Sequence, residues 1–268
     1  MKKIITIISI IVVVGLGYLI FKSKPEIALG QNSITQNSTG MTLDLNHGNN
    51  NGSSKVYDSM ENHDFTETGT LTFVEGPDGY VQNGGLGTNY LSTASPTGLF
   101  DTNYVTIASK FMPFDNWNNN SRDVLWDAAG TRYGFNRRNV AENNSLYIYL
   151  GGTNYIVATS TYAPYWMEDR KNIVVVQGTA GAPGSISVWL NNVKIVNNAA
   201  MTWSQGNPTT FYTIANASIG LNGQLYYVKI WDTLLPQADI DIIFADRINY
   251  MVTSTVNYML TSTVKYQR

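Results

Sequence analysis

The stretch LNGQLYYVKIWDTLLPQADI, residues 221–240, says most about the fold of this 268-residue chain. Its first half alternates with a two-residue period, which predicts a β-strand. One side of that strand would carry Leu225, Tyr227 and Lys229, and the other side Tyr226, Val228 and Ile230. Pro236 then stands at a position typical of a first helical turn, where its missing N–H costs nothing. The stretch therefore predicts a strand, a turn and a short helix near residues 237–245.

This stretch resembles the closing strand of laminin G-like, concanavalin A-like jelly rolls, whose pattern is G-x-L-x-x-V-R-I-Y-x-x-x-L-S-x-x-E-I. Where the pattern has Arg, Tyr, Ser and Glu, this chain has Lys229, Trp231, Pro236 and Asp239. Two further segments carry the resemblance, the strand YVTIASKFMPF and the hairpin SISVWLNNVKIV, in which Asn192 replaces the usual Gly. The resemblance covers about residues 56–247 and implies an all-β, two-sheet antiparallel jelly-roll sandwich. Most members of that superfamily bind ligands, and some branches cleave them.

The residues between about 56 and 250 independently predict a sandwich, because short alternating runs are separated by turn residues. The apolar run at residues 173–176 predicts a strand that is buried on both faces. At residues 146–150, leucine and isoleucine alternate with Tyr147 and Tyr149, which places both tyrosines on the opposite side of their strand.

Composition narrows the possible functions. Hydrophobic residues make up 43% of the chain, but charged residues only 13%, against about 25% in ordinary domains. The net charge of −2 argues against a nucleic-acid partner. Because there is no cysteine, disulfides, thiolate metal sites and cysteine nucleophiles are excluded.

The N-terminal residues 1–24 predict a single-pass membrane anchor. Between Lys3 and Lys22 lie 18 uncharged residues, which as a helix would be about 27 Å long, close to the ~30 Å of a hydrocarbon core. A cleaved signal peptide is the alternative, although its apolar region is normally about 7–15 residues. The residues expected in the bilayer include Ile4, Ile11, Val14, Leu19 and Phe21.

The rest of the chain divides by composition. Residues 25–55 are rich in Asn, Ser and Gly and predict a linker, and residues 56–250 form the predicted jelly-roll domain. Residues 251–268 contain two similar octads, MVTSTVNY and MLTSTVKY, whose even period keeps equivalent side chains on one face of a strand. We expect an extended arm that pairs with a sheet edge of a neighbour, the alternatives being a frayed tail or a hairpin on its own domain. The partner-strand residues would be Val252, Val256, Tyr258, Val264 and Tyr266.

Catalytic motifs are missing from the predicted domain. His47 precedes it and His63 stands near its beginning, before the main body of strands, so that body lacks a histidine base and an imidazole metal site. The E-x-D-x-x-E motif of the glucan-cleaving branch is absent from the chain, and the adjacent Glu168 and Asp169 would face opposite ways on a strand. The sequence therefore predicts a protein that is not an enzyme.

Two weaker sites remain as hypotheses. Asp115, Asp123 and Asp127 lie in an Asn-rich segment whose oxygens suit calcium, the alternative being a plain turn. No other cofactor is expected. Tyr162, Tyr165 and Trp166 could form a platform for a glycan, the alternatives being core packing or protein contact.

Together these patterns favour a non-catalytic structural or interaction protein, tethered to a lipid bilayer and contacting other protein subunits of a larger assembly. In its sharpest form this is a minor capsid component that fastens a virion shell to an internal membrane. The alternative is a cell-surface, glycan-binding lectin or adhesin. A glycoside hydrolase is a third and weaker reading.

Overall fold

The computed structural model describes residues 38–245 except 51, 53, 95 and 117–121. Within these residues the chain is all-β, with sixteen strands, a few short helical turns and one longer helix. The strands are β1 Met41–Asn50, β2 Lys55–Asp58, β3 Phe65–Thr68, β4 Thr72–Val74, β5 Tyr80–Leu86, β6 Tyr90–Ala94, β7 Tyr104–Pro113, β8 Asp123–Gly130, β9 Gly134–Arg137, β10 Leu146–Leu150, β11 Thr153–Val157, β12 Asn172–Thr179, β13 Ser185–Leu190, β14 Val193–Ala200, β15 Pro208–Thr213 and β16 Ile219–Trp231. The helices are α1 Thr159–Tyr162 and α2 at residues 237–245, with 3₁₀ turns at Val140–Glu142 and Ala163–Tyr165.

The strands pair in one continuous antiparallel sheet, in the order β11-β10-β9-β8-β15-β6-β3-β2-β1-β16-β7-β12-β13-β14, with β5 and β4 branching from β16. The prediction of two separate sheets is thereby corrected. The two layers stay joined because β1 pairs with β16 along its first half and with β2 further on. We call β3, β6, β15, β8, β9, β10 and β11 the front layer, and β16, β7, β12, β13 and β14 the back layer.

The main core contains apolar side chains from both layers. Phe135, Ile148 and Phe211 come from the front layer, and Ile107 and Val174 from the back layer, all of them buried in one cluster. A shared core between two layers is what a β-sandwich requires. The all-β prediction is confirmed at this level.

A second apolar cluster covers the outer face of the back layer. Ile173 and Val175 of β12 belong to it, while Val174 and Val176 belong to the main core, so this strand is buried on both faces as predicted. Helix α2 lies in the predicted place and covers the outer face. It contributes Ile240, Ile243 and Phe244.

Strand β16 departs from the predicted alternation at one residue. Val228 and Ile230 point into the main core and Tyr227 points out, as expected. Leu225, predicted to share the side of Tyr227, lies in the main core instead. The register with β7 shifts between Leu225 and Tyr227, so that Tyr226 is the extra residue of a β-bulge. Since a bulge adds one residue to one strand, it exchanges the two faces beyond it.

The predicted linker of residues 25–55 extends too far. Residues 41–50 form β1, in which Leu43 and Leu45 are fully buried in the main core. The Asn-rich composition obscured this strand, although its side chains alternate between buried and half-buried positions. The described domain thus includes β1.

The hairpin between β13 and β14 has the predicted turn. Leu190 pairs with Val193, and the two residues between them, Asn191 and Asn192, have φ angles of 52° and 69°. Positive φ at both central residues is what a type I′ turn needs, and asparagine tolerates it.

The predicted anchor and the octad tail lie outside the described residues. No helix among the residues that the structure describes has the length and hydrophobicity needed to cross a membrane.

Candidate functional site

The outer face of the front layer carries a row of polar and aromatic side chains. Residues opposite each other in antiparallel strands point to the same side, and the alternate residues Phe211, Trp126 and Phe135 lie in the main core. The outward row therefore crosses seven strands, and it consists of Thr66, Ser92, Tyr212, Asp127, Gly134, Tyr149 and Asn154.

A second outward row lies beside the first. It consists of Val124, Asn136, Tyr147 and Ile156. Tyr90 adds a further ring, which packs edge to face on Tyr212 with 5.3 Å between ring centroids. We call the outward surface made by Tyr90, Tyr212, Tyr149, Tyr147 and the side chains between them the tyrosine face.

Asp127 is held firmly at the middle of the tyrosine face. Arg132 donates from Nε and Nη2 to the two carboxylate oxygens at 3.1 and 3.0 Å, and Asn216 donates to Oδ2 at 2.8 Å. The Arg132 guanidinium also lies 3.6 Å from the centroid of the Tyr149 ring. Desolvation lowers the pKa of Arg132, but the hydrogen bond and the charge of Asp127 outweigh it, so the net shift is upward and the guanidinium stays charged.

Gly134 lies directly beside this carboxylate and is buried. A Cβ atom at Gly134 would lie 2.8 Å from Asp127 Oδ1 and 3.2 Å from Asn136 Nδ2. Both polar groups therefore pack against Gly134 and leave no room for a larger residue there. Asn136 is only 1% exposed, and within the described part of the chain neither its Nδ2 nor its Oδ1 has a hydrogen-bond partner. Such a group costs about 1–3 kcal/mol, which makes it the least satisfied side chain on this face.

Two arginines close the other end of the tyrosine face. Glu142 lies 2.7 Å from Nη2 of Arg122 and 3.6 Å from Nη1 of Arg138. Arg138 also donates to the Tyr149 hydroxyl at 2.9 Å and lies 4.7 Å from the centroid of the Tyr147 ring. Tyrosine rings, arginine donors and an unsatisfied amide together suit a polar ligand that also offers a flat apolar surface.

Two of the three calcium candidates, Asp123 and Asp127, point to opposite faces, while burial and the charge of Asp115 both contribute to raising the pKa of Asp123. Asp123 points inward, where its carboxylate makes a fully buried salt bridge with Arg137 at 2.5 Å. Burial raises the pKa of Asp123, against the opposing charge and hydrogen bond of Arg137. Asp127 points outward to Arg132, because the bulge near Leu125 changes the face between the two aspartates. Among the described residues, no group of three acidic or imidazole side chains is placed to hold a metal ion.

The predicted aromatic platform is not a surface. Tyr162 is fully buried, with its hydroxyl donating to the Asn144 backbone oxygen, and burial raises its pKa to about 12. Trp166 is 6% exposed and packs on Phe111 with 5.2 Å between ring centroids. Tyr165 is the one platform residue with an exposed ring. Two of the three rings therefore pack inside the domain, as the core-packing alternative expects.

His47 was predicted to precede the domain, but it lies inside it. The imidazole on β1 is fully buried, and its Nε2 lies 3.2 Å from the Thr213 hydroxyl. Burial lowers its pKa to about 3, against a smaller opposing effect of a hydrogen bond with the Tyr226 backbone. The imidazole is therefore a neutral core residue with no access to a ligand.

A separate acidic pocket of about 330 Å³ lies near β2, lined by residues that include Tyr57, Asp58 and Asp64. The Asp58 carboxylate is 3% exposed and accepts hydrogen bonds from four backbone N–H groups of its surroundings. Its role is to fix the following loop.

The sequence indicated only part of the tyrosine face. The alternation in β10 correctly placed Tyr147 and Tyr149 on one side. No local motif marks Tyr212, Asn136 or Arg132 as part of one site. They come together because β15 pairs with β8, and β8 with β9.

Comparison with known proteins supports the fold. No protein-family model and no curated protein match the chain. Among solved structures, the chain is similar to botulinum neurotoxin type C, which depends on interaction with two ganglioside molecules to enter cells. The identity is 13% and the TM-score 0.56, over 80% of this chain and 52% of that one.

Two further structures are similar. The binding domain of botulinum neurotoxin DC, solved in complex with rat synaptotagmin II, has 11% identity and a TM-score of 0.55, over 78% of this chain and 52% of that one. A Trypanosoma rangeli sialidase, solved with a difluoro-KDN compound, has 16% identity and a TM-score of 0.56, over 78% of this chain and 33% of that one. The chain thus spans about half the length of the toxin structures and a third of the sialidase. At these identities the likeness shows the fold alone, an all-β sandwich.

Proposed function

We propose that this chain is a non-catalytic binding module that holds a saccharide against the tyrosine face. The observation that carries the proposal is Asn136 next to Gly134, because neither the donor nor the acceptor of its buried amide has a partner among the residues that the structure describes. Sugar hydroxyls both donate and accept, so one ligand could satisfy both atoms. The C–H face of a sugar ring would at the same time pack on the half-buried ring of Tyr212.

The charges on the tyrosine face favour binding over catalysis. A glycosidase of the common type needs one carboxyl group that protonates the leaving oxygen and a second that attacks or activates water. Here the carboxylate of Asp127 accepts from Arg132 and Asn216, and that of Glu142 faces two arginines. Both carboxylates therefore act as anchors for cationic side chains. Related folds also serve in binding, as the neurotoxin domain solved with synaptotagmin II illustrates.

A glycan array probed with the full chain in detergent micelles tests the proposal. We expect a restricted set of glycans to bind, and Tyr212→Ala to remove that binding, because the substitution deletes the half-buried ring at the centre of the face. Tyr104→Ala is the matched control, since Tyr104 is a 48% exposed tyrosine on β7 of the back layer.

Two results would argue against the proposal. One is an array without any specific signal for the folded wild-type chain. The other is a signal that survives Tyr212→Ala but is lost in Tyr104→Ala, which would move the site to another surface.

We also propose, from the sequence alone, that this module is attached to a membrane and contacts other protein subunits. The apolar run of residues 4–21 would anchor it in a membrane, and the octad tail would contact other subunits. A role in fastening a virion shell to an internal membrane is the most specific form of this idea. Alkaline extraction of membranes from cells that express the chain tests the anchor, which predicts that the protein stays in the pellet.

A further inference from the structure

We infer that the Arg122 and Arg138 end of the tyrosine face binds an anionic group, a carboxylate or sulfate, carried by the saccharide. This inference rests on the proposed function and specifies the class of its ligand.

The pairing register of β8 and β9 places Arg122 and Arg138 opposite each other. Asp123 is paired with Arg137, and the next residue outward on each strand is Arg122 and Arg138. Neighbouring residues of a strand point to opposite faces. Because Asp123 and Arg137 point inward, both arginines belong to the outer face.

The positive charge at this end exceeds the negative charge. Glu142 is the one carboxylate that forms a salt bridge with Arg122 or Arg138 among the described residues. Two facing like charges repel each other, and one carboxylate compensates only half of their charge. A second negative group on a ligand would complete the balance.

Hydrogen-bond donors without acceptors also favour an anionic ligand at this end. Among the residues that the structure describes, no acceptor pairs with the buried Nε atoms of Arg122 and Arg138 or with Nδ2 of Asn136, which lies between this end and Gly134. At the middle of the tyrosine face, by contrast, Arg132 uses its Nε and Nη2 on Asp127. Donors without acceptors call for an oxygen-rich, negatively charged group, since charge-assisted hydrogen bonds are about twice as strong as neutral ones.

The spacing requires a ligand longer than one sugar ring. Gly134 and Arg138 are four residues apart along an extended segment, which corresponds to about 13 Å. A sugar ring beside Tyr212 and Gly134 would therefore leave the anionic group on a neighbouring ring, near Arg138.

The test compares trigalacturonate with its uncharged methyl ester and with free sulfate. Each probe is titrated by calorimetry into the full chain in detergent micelles. We expect the acid to bind about tenfold more tightly than the ester, and sulfate more weakly than the acid. Arg122→Gln should lower the affinity for the acid to that of the ester. Arg122 has a side chain that is 36% exposed, so this substitution leaves the core intact.

Lys194→Gln is the matched control, because it removes one positive charge from an exposed residue of β14 in the back layer. It should leave both affinities unchanged. Equal binding of acid and ester, or an equal loss in Lys194→Gln, would overturn the anionic subsite while leaving the saccharide face standing. Sulfate that binds as tightly as the acid would reduce the site to one for free anions and overturn the inference. Ester binding that survives Tyr212→Ala would instead count against the proposed function.

Discussion

Lowering the pH should destabilise this domain through His47 in particular. The imidazole is fully buried and has a pKa of about 3, whereas a histidine in an unfolded chain has a pKa of about 6.5. Between these two values the unfolded state binds a proton that the folded state does not. The free energy of unfolding therefore falls as the pH decreases below about 6.5.

The size of the effect follows from the two pKa values. At pH 5.0 the unfolded histidine is almost fully protonated and the folded one is neutral, which costs about 2 kcal/mol relative to pH 7.5. The loss continues as the pH falls towards 3. Carboxylates contribute too, but they are common to the wild type and to a His47→Gln variant, so their effect cancels in the difference.

Urea unfolding of both proteins at pH 7.5 and pH 5.0, followed by tryptophan fluorescence, measures this difference. The buried Trp126 and Trp231 provide the signal. We expect the wild type to lose about 2 kcal/mol more than His47→Gln between the two pH values. An equal loss in the two proteins would refute the reasoning, because it would mean that His47 does not change its protonation on unfolding.

Three further predictions concern stability and assembly. Replacing Arg137 with Met should lower the free energy of unfolding by about 3–5 kcal/mol, since Asp123 would remain buried without its partner. Adding Asp123→Leu to this variant should restore part of the lost stability in the same urea assay. A double variant no more stable than Arg137→Met would contradict the ion-pair explanation. Asn192→Gly should raise the free energy of unfolding by about 0.5 kcal/mol, because glycine adopts the φ of 69° without strain, and a lower thermal midpoint would contradict this. Deleting residues 251–268 should leave the fold intact by circular dichroism but reduce the oligomer size in light scattering; an unchanged size would reject the tail as an assembly arm.

Much of the fold could be predicted from the sequence, because its signals are local. The run at residues 173–176 has no polar residue, so a strand buried on both sides was the direct interpretation. Asn191 and Asn192 between two alternating runs specified the hairpin. The start of α2 followed from Pro236, whose ring fixes φ near the helical value.

Other features depend on contacts that no short stretch contains. Strand β1 is Asn-rich and becomes a strand through its pairing with β16 and β2. The bulge at Tyr226 appears only when β16 is aligned with β7, and it reversed the predicted side of Leu225. Tyr162 and Trp166 looked like a binding platform, yet aromatic residues in a loop serve equally well as core.

The candidate site shows the same limit. Asp127 and Asn136 are nine residues apart in sequence and belong to different strands, and Tyr212 comes from a strand much later in the chain. Their convergence around Gly134 is a property of the strand order. The sequence could therefore predict a binding fold, but not the face that carries the ligand.

The most direct test of the account is a crystal structure of the chain with the oligosaccharide that binds best in the array. We expect the sugar to lie on the tyrosine face, with a ring against Tyr212 and hydrogen bonds to both side-chain atoms of Asn136. A sugar bound instead at the acidic pocket beside Asp58, with Asn136 still without a partner, would contradict the central claim.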